Sequence, residues 1–186
     1  MLKKALKNHP MAGIDESKTF IPVSIAVLTV SDSRRSKDDE SGQILAERIK
    51  SAGHHLAAKE IVADDQGAIV EKLTQWINHP EIDVVIATGG TGLTGRDVTP
   101  DAFESLYEKS IPGFGELFRM LSYEKIRTST IQSRATGGVA QGTYLFALPG
   151  SPSAVKDGWD DILVWQLDSR HRPCNLVTLI PRLQEV

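Results

Sequence analysis

Thr88-Gly-Gly-Thr-Gly-Leu-Thr-Gly-Arg-Asp-Val-Thr-Pro100 is the segment best equipped for chemistry. Glycines let a backbone approach a phosphate closely and aim several N–H groups at it. The threonine hydroxyls add donors, Arg96 offers a planar fork to phosphate oxygens, and Asp97 can hold Mg²⁺. These residue types point to a site for a phosphate and a metal. Two familiar motifs fail here. Gly90-Thr-Gly-Leu-Thr-Gly95 matches G-x-G-x-x-G in form, but it follows the third apolar run instead of the first. No strand ending in an acid follows about 20 residues later, as a dinucleotide fold requires. No Gly-Lys-Ser/Thr follows the glycines, which excludes a Walker-type loop.

Three other segments share this polar, turn-rich character: Thr29-Val-Ser-Asp-Ser33, Ala63-Asp-Asp-Gln66 and Leu148-Pro-Gly-Ser151. Asp64 and Asp65 suit either a divalent ion or a turn with a helix cap. Asp32, Asp38, Asp39 and Ser41 pose the same choice, and Arg34, Arg35 and Lys37 among them meet either an anion or water. The five histidines show no metal spacing; His54 and His55 point to opposite faces if they enter a strand. No G-x-S-x-G elbow is present, so covalent hydrolase chemistry has no positive signal. Cys174 lies in an irregular stretch and is expected to be buried or inert.

These segments must be positioned by regular elements. Val23-Ser-Ile-Ala-Val-Leu-Thr-Val30 reads as a strand covered on both faces, as do residues 83–88. Residues 56–63 form a strand between them. Ile44, Leu45 and Ile49 mark one helix, stopped at Gly53, and Ile69, Leu73, Trp76 and Ile77 a second, stopped at Pro80. The order β-α-β-α-β calls for a parallel sheet with helices on both faces, an α/β three-layer arrangement. Pro100 opens a helix holding Phe103, Leu106 and Tyr107. Phe114, Leu117, Phe118 and Leu121 mark the next. Gly137, Gly138 and Gly142 punctuate a hairpin as turn residues, residues 143–148 form a further strand, and Val155, Trp159, Ile162 and Leu163 define a last helix. The tryptophans belong to the core or to a subunit interface. In such sheets ligands bind outside the carboxyl ends of the parallel strands, where all four polar segments fall.

Composition bounds the rest. The 186 residues suit one domain: an arm at 1–19, an α/β domain at 20–170, and a tail at 171–186 that packs on the domain or on a neighbouring subunit. The net charge of -3 argues against nucleic acid and anionic membranes as partners. No apolar run approaches bilayer length and the start has no secretory pattern, so a cytoplasmic protein is expected. One cysteine rules out an internal disulfide and a cysteine-based zinc cluster. Ten of the 15 glycines lie between Gly89 and Gly150, where the candidate chemistry is concentrated.

Together the motifs resemble the MoaB/MogA family of molybdenum cofactor biosynthesis proteins over residues 20–177. The carrying segments are Leu28-Thr-Val-Ser-Asp32, Asp39-Glu-Ser-Gly42, Thr88-Gly-Gly-Thr-Gly92, Arg96-Asp-Val-Thr-Pro-Asp101, Pro112-Gly-Phe-Gly-Glu116, Ser133-Arg134 and Leu148-Pro-Gly-Ser-Pro152. Phe118-Arg-Met-Leu-Ser122 and Arg172-Pro-Cys-Asn175 look like the MoaB branch. The resemblance implies a molybdopterin-binding α/β fold with a mainly parallel sheet, assembled as a trimer or hexamer. It implies adenylylation of molybdopterin by Mg-ATP with release of pyrophosphate, or molybdopterin binding and carriage without catalysis, or a scaffold role. Other molybdenum cofactor biosynthesis proteins are implied as partners. Asp64 and Asp97 match the family's acids and are expected as catalytic residues that hold Mg²⁺. Ser31, Asp32, Asp39, Ser41, Gly42, Thr88, Gly89, Gly90, Thr91, Gly92, Arg96, Ser133, Arg134, Pro149, Gly150 and Ser151 are expected to contact pterin or nucleotide. Ala63 stands where the family has proline, and Asp65 where it has glutamate.

Overall fold

The near-continuous apolar runs demand strands covered on both faces, and the computed structural model, which describes residues 13–32 and 38–185, contains such a sheet. The strands are β1 (Gly13–Ile14), β2 (Ser24–Val30), β3 (His55–Val62), β4 (Val84–Thr88), β5 (Lys109–Ser110), β6 (Thr136–Ala140), β7 (Thr143–Leu148) and β8 (His171–Arg172). Six of them form one sheet in the order β3-β2-β4-β7-β6-β5. The first four are parallel, and β6 and β5 are antiparallel additions at one edge.

The helices are α1 (Glu40–Ser51), α2 (Gln66–Ile77), α3 (Thr99–Glu104), α4 (Pro112–Ile126), α5 (Pro152–Gly158) and α6 (Val164–Gln166). A π turn, Trp159–Leu163, joins the last two. Alternate side chains of a strand face opposite sides. Ile25, Val27 and Ile86 accordingly pack with Leu45, Ile49, Phe118 and Trp159 on one face. Ala26, Leu28, Val85 and Ala87 pack with Ile69, Leu73, Trp76 and Phe103 on the other. The three-layer reading holds, with Trp76 and Trp159 in the core and Trp165 exposed.

Four local readings change. α3 ends at Glu104, so Leu106 and Tyr107 pack against the second core from the following turn. The hairpin turn is only Gln141 and Gly142, both at positive φ, which matches the twist of the strands it joins. Gly137 and Gly138 are instead inside β6, where a Cβ would sit 2.8 Å from Phe146 and 2.4 Å from Tyr107. Cys174 is exposed. Within the stretch read as an arm, β1 pairs antiparallel with β8, and Thr19 O accepts from Ser169 Oγ at 3.1 Å. Residues 1–12 and 33–37, including Arg34, Arg35 and Lys37, lie outside the described residues. No described helix is long and apolar enough to cross a membrane.

Asp39, expected among the ligand contacts, is a buried structural acid, 2% exposed. Its carboxylate accepts from Gly42 N–H at 3.0 Å, capping α1, and from Thr29 Oγ1 at 2.9 Å. It also pairs with Lys59 of β3 at 2.7 Å, binding helix and two strands together. Removing one partner of a buried pair leaves the other uncompensated. Asp39→Ala should therefore lower unfolding free energy by about 3 kcal/mol, read from urea melting. A loss below about 0.5 kcal/mol would return Asp39 to the list of ligand contacts.

Candidate functional site

The parallel strands all end on one edge, so the loops after β2, β3, β4 and β7 must meet there. They border a cavity of ≈ 840 Å³. Its floor carries Ser31, Asp64, Gly89, Gly90, Thr91, Gly92, Asp97, Pro149, Gly150 and Ser151. Ser133 reaches it from the segment after α4, completing the expected residues that line it. Further lining comes from α4, the 3-10 segment Arg127–Gln132 and α5.

The floor is stitched from below. Gly89 N–H donates to Leu148 O at 3.0 Å and Thr88 Oγ1 to Pro149 O at 3.1 Å. Ser41 Oγ donates to Gly150 O at 2.8 Å. Gly89 has φ +105, and a Cβ there would lie 2.3 Å from Val30 O; a Cβ on Gly150 would lie 3.1 Å from Gly89 Cα. Thr88, Ser41 and Gly42 are buried behind the cavity. They frame it and, with Asp39, do not line it. Gly42 has no room for a side chain, since its Cβ would fall 2.3 Å from Asp39 Oδ2.

The β2, β3 and β4 loops are fastened to one another. Asp32 N–H donates to Asp64 Oδ2 at 2.9 Å, and Asp64 N–H returns a bond to Asp32 Oδ1 at 3.0 Å. Arg96 pairs with Asp32, and neither residue is among those lining the cavity. Arg134 is a brace. Its Nε donates to Gly92 O at 2.9 Å, its fork meets Asp101 at 3.1 and 3.0 Å, and it also reaches Asp97 O. Asp65, the neighbour of Asp64, caps α2 through Ala68 N–H at 2.8 Å. Of the two adjacent acids, Asp65 thus takes the capping role and Asp64 faces the cavity.

Asp64 and Asp97 have opposite electrostatics. Burial, then the neighbouring Asp97 charge, pushes the Asp64 carboxyl up. Burial also acts upward on Asp97, but it is outweighed by hydrogen bonds from the Thr94 hydroxyl and amide and from Gly92 N–H, and by Arg134. Asp97 is consequently held below the usual range, with Thr94 N–H at 2.8 Å and Thr94 Oγ1 at 2.7 Å. Beside the pair, Thr99 Oγ1 is buried with no hydrogen-bond partner. Gly90 keeps the space there open: its Cβ would lie 2.4 Å from Thr99 Oγ1 and 3.2 Å from Asp64 Oδ1. Two repelling carboxylates, an orphaned hydroxyl and a glycine-made gap fit a divalent cation. Among the described residues no group of three or more His, Cys, Asp or Glu can hold a metal. This donor set suits Mg²⁺, which takes one or two carboxylates and completes its shell with phosphate oxygens and water.

Sequence reasoning missed the α4–α5 side of the cavity, where Phe118, Ser122, Lys125 and Asp157 contribute. Phe118 and Ser122 end a segment that carries the family resemblance but no evident chemistry, and Lys125 and Asp157 sit on helix faces with no motif around them. The spacing signal marks only the apolar stripe, so Phe118 was visible as core and the other three were not.

Comparison with known proteins places this geometry. Residues 26–169 match the family model described as a probable molybdopterin binding domain. The chain is 49% identical to molybdenum cofactor biosynthesis protein B of Escherichia coli K12 over 159 residues, covering 86% of this chain and 94% of that one. It is 43% identical to the protein of the same name from Bacillus subtilis strain 168, over 83% of this chain and 92% of the relative. A crystal structure of a molybdenum cofactor biosynthesis protein B superposes with a TM-score of 0.78 at 40% identity, covering 81% of this chain and 94% of that chain.

Proposed function

The chain belongs to the molybdopterin-binding domain family of molybdenum cofactor biosynthesis proteins, and from that premise we propose that it adenylylates molybdopterin with Mg-ATP. Its role in molybdenum cofactor biosynthesis is common to its relatives. The observation that carries the finer reading is the placing of Asp64, Asp97 and the residue 89–92 loop on one cavity at the carboxyl ends of the parallel strands.

In this reaction a phosphate oxygen of molybdopterin attacks the α-phosphorus of ATP. The new P–O bond forms as the bond to the β-phosphate oxygen breaks, and pyrophosphate leaves. Two anions must be held together against their repulsion, which makes charge stabilisation the main demand on the protein. Asp64 and Asp97 would hold Mg²⁺, which when bound supplies positive charge for the triphosphate. Gly89 N–H is bonded to Leu148 O and Gly92 N–H serves Asp97, which leaves Gly90 and Thr91 as the loop's anion donors. Arg134 holds that loop in shape from behind. Arg96 is set to orient Asp32, and through it Asp64. Self-association belongs to the same reading, because Leu117, Met120 and Tyr123 of α4 and Trp165 of α6 are exposed.

The test is direct. Protein mixed with molybdopterin and Mg-ATP should yield adenylylated pterin and pyrophosphate in equal amounts, and EDTA should abolish both. Tight pterin binding with no product would identify a carrier instead.

A further inference from the structure

Lys125 lies in the last turn of α4, and Asp157 lies on α5. Their ammonium and carboxylate are in direct contact on the cavity wall. Among the described residues Lys125 is the only lysine or arginine lining the cavity, whose other charged groups are Asp64, Asp97 and Asp157. The pair is separate from the floor acids: Lys125 is not among the charges that shift Asp64 or Asp97. It is also asymmetric. The Lys125 side chain is 48% exposed and that of Asp157 only 11%.

We infer that Lys125 is an anion-binding residue of the cavity that exchanges its Asp157 partner for a phosphate group of the ligand. This rests on the reading of the cavity as a site for phosphorylated ligands. A half-exposed ammonium in a partly solvated pair is held weakly and can turn toward a stronger anion. The last turn of a helix is a favourable place for a cation. Ser122 and Ser129 line the same wall, and their hydroxyls supply neutral donors. Asp157 sets a threshold. Once Lys125 leaves, its largely buried carboxylate loses its partner, so an anion of low charge gains too little to displace it. The pair therefore admits phosphates and resists weaker anions.

The exchange predicts opposite effects from its two partners. Calorimetric titration of inorganic pyrophosphate in EDTA measures this end of the cavity without Mg²⁺ at the floor acids. Lys125→Gln should weaken binding about tenfold, the value of one charge-assisted contact. Asp157→Asn frees the ammonium and should tighten binding by roughly three- to tenfold. Parallel titrations with ATP and with a pterin phosphomonoester identify which ligand brings the phosphate: the one whose affinity moves in opposite directions in the two variants. A pair with only a structural role would lower both melting temperatures and move affinity in one direction or not at all. That result, or no pyrophosphate binding by the wild type, overturns the inference. Opposite shifts without adenylylated product would keep the anion site and remove the catalytic reading; product formation with unshifted binding would do the reverse.

Discussion

Asp97→Ala should lower adenylylation by ~10²–10³-fold, the usual loss when one pre-set electrostatic group of a transition-state site is removed. The acid has two tasks that a single substitution confounds. It supplies a charge beside Asp64, and it organises the loop by accepting from Thr94 and Gly92. Asp97→Asn separates them, since the amide oxygen still accepts from Thr94 while the charge is gone. A comparable loss in Asp97→Asn, with melting temperature and circular dichroism unchanged, assigns the effect to charge. Asp64→Ala should match it in turnover, because its carboxylate shares the gap kept open by Gly90. Normal turnover with Mg-ATP in either Asp97 variant would take that residue out of the chemistry.

The second large effect is structural. Gly89→Ala should destabilise the fold by about 3–5 kcal/mol in urea melting, as two penalties combine at one atom. The residue sits at φ +105, which L side chains rarely adopt, and the new Cβ would lie 2.3 Å from Val30 O. That oxygen is backbone, so no side chain can swing aside. The ends of β2 and β4 must part, and they are the strands that carry the site. Gly95→Ala is the matched control: it lies in the same loop with nothing within 4 Å of its Cβ position. It should change stability by less than about 1 kcal/mol. Equal melting curves for the two variants would mean that the close approach at Gly89 yields easily.

The sheet was legible because β2 and β4 are near-continuous apolar runs and α2 carries a strong apolar stripe. The floor of the site was legible for a related reason: strand ends in such sheets are where ligands go, and glycine with acid after a strand is a local signal. What sequence could not separate was contact from support. Asp39 and Asp64 are both acids in polar segments that follow strands. Only the burial of Asp39 against Lys59, a residue of the next strand, makes it structural. Arg134 carries the same ambiguity. Its guanidinium is fully engaged by Gly92, Asp97 and Asp101, all distant in sequence. Lys125 and Asp157 were invisible for the opposite reason. Each is an ordinary charge on a helix until folding brings the two helices together. The glycines of β6 were misread as turns because a glycine pair signals a turn locally, whereas the rings that require them come from α3's exit turn and β7.

The cross-stitching beneath the cavity has an entropic consequence. Three elements share the hydrogen bonds at Gly89, Thr88 and Ser41, so the floor has already lost its conformational freedom before any ligand arrives. The wall formed by Arg127–Gln132 is a 3-10 segment with no buried residue, and Ile131 within it is 80% exposed. Poorer hydrogen-bond geometry and little buried surface make such a segment the softest part of the cavity. Ordering on capture is thus confined to one side. The floor that carries Asp64 and Asp97 is the rigid side of the cavity, and adaptation to ligand shape falls to the wall, which carries neither acid.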